Sequence, residues 1–153
     1  MQQKTLNLNN NSIQILEKMP NETMILCGYP YVVEYSNHVL LQRMDRIYKT
    51  IGNVSNLLNR VCFLLFEIED LLINSIKVDE YVVIFDKVLD IAFVIKVEVN
   101  KITIVTVYDE KNKTGKDSFR LSKGEKVVEI YKDEILFFIF DGYQKRKIPD
   151  LDL

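Results

Sequence analysis

Residues 91–108 read IAFVIKVEVNKITIVTVY. Two runs of alternating, β-branched-rich sequence flank Asn100-Lys101, a pair suited to a tight hairpin loop. A two-residue loop there sets Val99 opposite Ile102, Val97 opposite Ile104, Ile95 opposite Thr106 and Phe93 opposite Tyr108. One face is then almost wholly apolar. The other carries Glu98, Lys96 and Thr103 beside Val94, Val105 and Val107. A slip of one residue would mix the two faces, so the pattern specifies an antiparallel pair with a defined inner side.

The same period extends on both sides. Tyr81 to Phe85 reads as a strand ending at an Asp86-Lys87 turn. Lys126 to Tyr131 and Ile135 to Phe140 read as a second hairpin around Lys132-Asp133-Glu134. The spacing predicts that residues 81–140 form one antiparallel sheet of about five strands. Between them, 109–118 is a polar loop. Upstream, Thr23 to Tyr35 is extended in character but interrupted by Gly28 and Pro30, which predicts two short strands or one bulged strand. Ser12 to Leu16 reads as a further short strand, and residues 1–12 as a frayed end.

Between these blocks the period changes to that of helices. Ser36-Asn37 supplies an N-cap, and Leu40, Met44, Ile47 and Ile51 fall at helical spacing. A second helix is predicted over 54–74, with the stripe Leu57, Leu58, Val61, Leu64, Leu65, Ile68, Leu71 and Leu72. Helices gathered before a meander indicate an α+β class: two helices packed on one face of an antiparallel sheet, with extra N- and C-terminal strands. No linker or repeat divides the chain, so 1–153 reads as one domain.

Phe63 and Phe66 lie off the apolar stripe of the second helix. Phe63 shares its side of the helix with Asn56, Arg60, Glu67 and Asp70, residues suited to water. Eight stripe residues are enough to dock the helix, so these two rings mark an interface to a second copy or to another protein. The competing reading is that the N-terminal strands or the C-terminal segment fold over them.

Composition narrows the functional classes. The chain has 153 residues, 48% of them hydrophobic and 27% charged, with a formal net charge of −2. Proteins that live on nucleic acid usually carry a basic excess, so a basic patch here must be local and direct DNA binding is not expected. Cys27 and Cys62 fit neither a metal spacing nor a disulfide framework, and read as buried reduced thiols. The longest apolar runs, 61–66 and 135–140, are far shorter than the ~20 residues of a membrane span. The expectation is a cytoplasmic protein without metal or cofactor. Abundant Asn, Ile and Lys suggest an AT-rich bacterial or phage genome.

One residue-level constellation carries chemistry. Ser36-Asn37-His38-Val39-Leu40-Leu41-Gln42-Arg43-Met44-Asp45-Arg46 resembles the helix that opens small bacterial RelE/ParE-like proteins near the BrnT toxins. The strands 94–99 and 102–108, ending Thr106-Val107-Tyr108, extend the resemblance over about residues 33–108. It implies a RelE-like core and an endoribonuclease toxin of a toxin–antitoxin pair, cleaving RNA by metal-independent acid/base chemistry. In that reaction a 2′-hydroxyl attacks the adjacent phosphate, and cations stabilise the extra charge. His38 would serve as base or acid, Arg43 and Arg46 would hold phosphate, and Tyr108 would orient substrate or donate a proton. At ~100° per residue, His38 and Arg43 lie about 140° apart around one helix, so strand residues must close the site. The acidic balance favours the alternative: a non-catalytic antitoxin-like, immunity or phage-encoded inhibitor protein that works through a protein–protein interface, or a homodimer, on helix 54–74.

Overall fold

The computed structural model describes residues 21–42, 54–109, 121–140 and 145–147. The predicted strand 12–16, the frayed end 1–12 and most of the polar loop 109–118 lie outside them. Eight described strands form one sheet: β1 (Asn21–Leu26), β2 (Tyr29–Tyr35), β3 (Glu80–Asp86), β4 (Ile91–Glu98), β5 (Lys101–Asp109), β6 (Lys126–Ile130), β7 (Ile135–Phe140) and the three-residue β8 (Lys145–Lys147). Three short helices are described between β2 and β3: α1 (Asn37–Gln42), α2 (Val54–Glu67) and α3 (Glu69–Ser75).

The strand order is β1-β2-β5-β4-β3-β6-β7-β8. This corrects the expected architecture of two helices on an antiparallel RelE-like sheet. The sheet is mixed and dominates the fold, and the described helical part is three short pieces. β2 pairs with β5 in parallel, and β3 pairs with β6 in parallel. The meander β3-β4-β5 is antiparallel, as are β1-β2 and β6-β7-β8. The reason lies in the connections. Parallel neighbours need a crossover of a dozen or more residues, and both the helical segment and residues 110–125 are long enough to supply one. Alternation within a strand carries no information about its direction against a distant neighbour.

The central hairpin forms, but not in the register read from its loop. Val99-Asn100 makes the turn and Glu98 pairs with Lys101. Asn100 sits at φ 59, a left-handed conformation that Asn adopts more readily than Lys, so the turn closes one residue earlier than Asn100-Lys101. Val97 then faces Ile102 and Ile95 faces Ile104. Beyond them Val94 pairs with Thr106, and Val105 has no opposite residue. This β-bulge reverses the faces of the rest of β5. Val107, read as outward, is fully buried with Phe93 opposite it; Tyr108, read as inward, points to the other side with Ala92.

The β1–β2 hairpin turns on Cys27-Gly28, both with positive φ (49 and 85). That is the two-residue geometry matched to strand twist, and glycine at the second position adopts it without a Cβ clash. The turn resolves Thr23 to Tyr35 into two strands. Its tip docks on the first turn of α3, where the Cys27 amide donates to Glu69 Oε2 (2.9 Å) and its thiol to Asp70 Oδ1 (3.3 Å). Both cysteines are free and half-buried rather than fully buried. Burial, with the Glu22 charge adding, pushes the Cys62 thiol up to about 11, so it stays protonated and unreactive at neutral pH.

The main core lies on the helix side of the sheet. All eight stripe residues of the second helical region are buried there, together with Val82, Ile84, Phe93, Ile95, Ile102, Ile104 and Val107. The predicted single helix over 54–74 is broken at Ile68 (φ −113, ψ 23), between α2 and α3. Two polar links bind the helices to the sheet. Lys126 Nζ donates to the Ser75 carbonyl (3.0 Å) and to Glu80 Oε1 (2.8 Å), tying the end of α3 to β3 and β6. Arg60 of α2 reaches Asp86 at the end of β3. The opposite face divides in two. Val83, Phe85, Ala92 and Val127 form a smaller apolar cluster, joined by Val94, Tyr108, Leu121, Phe138 and Phe140. Toward β2 it becomes polar, with Lys101 between Glu34 (3.5 Å) and Glu98 (3.8 Å).

Candidate functional site

Ser36 lies between the end of β2 and the start of α1. Its amide donates to the Ile104 carbonyl (2.9 Å), its hydroxyl donates to the carbonyl of the bulged Val105 (3.1 Å), and the same oxygen accepts from the Val39 amide (3.2 Å). The N-cap read from the sequence therefore also holds the bulge. Ser36→Ala is expected to cost about 1 kcal/mol, the usual scale for losing an N-cap, with α1 and the bulge losing hydrogen-exchange protection before the rest of the sheet. Protection unchanged across residues 36–42 and 104–106 would contradict this link.

His38 sits in the first turn of α1 and is exposed. Val39 beside it is fully buried in the main core, so α1 lies on the helix side of the sheet. Tyr108 is half-buried in the cluster on the opposite side. The sheet thus separates these two of the four residues proposed for phosphodiester chemistry. Arg43 and Arg46 lie outside the described residues. Among the described residues, no group of three or more His, Cys, Asp or Glu side chains is placed to hold a metal ion, and no helix is long and apolar enough to cross a membrane.

The other expected site, the outer side of α2, is built differently. Phe63 is 54% exposed and Phe66 is 60% exposed, so neither β1–β2 nor any other described segment closes over them. At three residues apart the rings are neighbours on the helix surface. Ser55, Asn56, Asn59, Glu67 and Asp70 surround them and are exposed. The sheet side of this face is fixed by Arg60. Its Nε lies 2.7 Å from Asp86 Oδ2 and its Nη2 lies 3.0 Å from Oδ1, a bidentate pair on a fully buried carboxylate. Asp86 Oδ1 also accepts from the Val88 and Leu89 amides (3.0 and 3.3 Å). Hydrogen bonding to Asp86 raises the Arg60 pKa against the opposing effect of burial, so the guanidinium stays charged. It also lies 5.4 Å from the Phe63 ring centre, which restrains that ring.

Beyond Glu67, between the end of α2 and the β6–β7 turn, lies an open hollow of about 400 Å³ lined by Glu67, Tyr131, Lys132, Asp133, Glu134 and Ile135. Glu67, which lines the hollow, follows Phe63 by one helical turn and Phe66 by one residue, so the hollow adjoins the helix that carries the rings. Beneath the turn, Tyr131 donates to the buried Glu129 (3.1 Å). Periodicity located the rings but neither the Asp86 anchor nor the hollow. The single basic residue in the otherwise apolar or uncharged run 54–66 was the available signal for the anchor.

No protein-family model, no curated protein and no solved structure matches this chain. Those comparisons therefore bear neither way on the resemblance of residues 36–46 to RelE/ParE-like proteins.

Proposed function

We propose that the protein is a non-catalytic binding protein that occupies another protein through the outer face of α2. The observation that supports this most is the exposure of Phe63 and Phe66 side by side on a helix whose opposite side already supplies eight buried residues to the core. Burying one such ring is worth ~1.5–3 kcal/mol, enough for two neighbouring rings to anchor an interface. Polar residues ring the pair, as at the rim of a protein interface. The ribonuclease alternative asks His38 and Tyr108 to meet at one phosphate, although Val39 beside His38 packs in the helix-side core and Tyr108 in the cluster on the other face.

Phe63→Ser and Phe66→Ser should each leave the melting temperature within about 2 °C of the parent, because little burial is lost. Each should abolish association with the partner in pull-down or sedimentation. A sharp fall in melting temperature would instead make these rings core residues and end the proposal. Cleavage of a short RNA by the purified protein, lost in His38→Ala, would favour the catalytic alternative.

A further inference from the structure

We infer that the partner docks with a basic segment, setting an apolar side chain over Phe63 and Phe66 and a Lys or Arg into the adjoining hollow. This rests on the docking role of α2. The hollow is lined by Glu67, Asp133 and Glu134 against Lys132; Glu67 also feels the charge of Arg60 on the same helix, but none of the three carboxylates makes an ion pair among the described residues. Burial first, and then the charges of Glu129 and Glu134, raise the Tyr131 pKa, so the Glu134 charge acts at this turn. The field is therefore negative and open to solvent, the setting in which a complementary cation speeds encounter and rejects acidic partners. Glu67, which lines the hollow, lies one helical turn (~6 Å along the axis) beyond Phe63 and next to Phe66. A segment with an apolar residue and a cation one turn apart reaches both.

A second copy of this chain fits less well. Its own α2 face offers Ser55, Asn56, Asn59 and Arg60 in the described residues, and Arg60 is already held by Asp86 on both carboxylate oxygens. An isologous pairing of α2 faces would leave the hollow without a cation. A partner richer in Lys or Arg supplies what this face lacks.

The test uses two labelled amphipathic helical peptides, one of Leu and Lys and one of Leu and Glu, titrated with the full-length protein in fluorescence anisotropy. The Lys peptide is expected to bind and the Glu peptide not to bind. The Glu67→Lys/Glu134→Lys variant, changed at two exposed positions, should weaken the Lys peptide at least about tenfold. Glu22→Lys, an exposed charge reversal outside the hollow, should change it less than about twofold, which separates the hollow from the general acidity of the protein. Equal binding of both peptides, binding of neither, or equal effects of the two charge reversals would overturn the inference. If Phe63→Ser removes binding while Glu67→Lys/Glu134→Lys does not, the docking face stands and its preference for a basic segment falls. If neither variant changes the binding, both fall.

Discussion

Arg60→Met is expected to destabilise the protein by about 3–5 kcal/mol, the usual result of removing one partner from a buried ion pair. The Asp86 side chain is fully buried while that of Arg60 retains 22% exposure, so the two halves of the pair are not equivalent. Losing the arginine leaves a carboxylate in the core with only the Val88 and Leu89 amides to hold it. Methionine keeps most of the aliphatic packing of the arginine stem, which isolates the charge effect. Adding Asp86→Asn to Arg60→Met removes the stranded charge and should recover part of the loss. Urea unfolding of the parent, the two single variants and the double variant measures the coupling. Additive losses would show that the pair does not hold α2 to β3.

Phe93→Ala should cost a comparable ~3–5 kcal/mol. Phe93 stands on the middle strand of the β3-β4-β5 meander, 1% exposed, between Ile84 on β3 and Val107 on β5. Its partners come from separate strands already pinned in register, so the sheet cannot collapse into the space left by the ring. A domain of this size has ~5–15 kcal/mol to lose in total, so the change consumes a large fraction of it. The urea midpoint should fall with the slope unchanged. Phe63→Ser removes a ring from the same chain with far less loss, because Phe63 is on the surface. Similar losses for the two substitutions would contradict the assigned core.

The comparison of these two phenylalanines also shows what was legible. Periodicity separated Phe63 and Phe66 from the stripe of eight buried residues, and their exposure is consistent with that reading. It was legible because a helix repeats its faces every 3.6 residues whatever it packs against. The candidate chemical site was less so. The resemblance joins His38 and Tyr108, and the regular register read from the hairpin loop sets Tyr108 on the inner face; the bulge at Val105 turns it to the other side. A bulge leaves no clear mark in a run such as Ile104-Val105-Thr106-Val107, where both neighbours of the irregular residue suit either face.

What the sequence by itself determined is local: the approximate positions of β1 to β7 and of the described helical residues, though not the break at Ile68, the Ser36 cap, the turn residues Gly28 and Asn100, and the apolar side of α2. Each follows from dihedral preferences and side-chain period within a few residues. Tertiary structure alone decided the order β1-β2-β5-β4-β3-β6-β7-β8, its two parallel pairs, the Arg60–Asp86 link and the acidic hollow. Those features join residues far apart in the chain, through contacts whose energies depend on how whole strands and helices meet. Direction and neighbour in a sheet are set by which pairing buries the most surface once the long connections have closed, and no short window of sequence contains that sum.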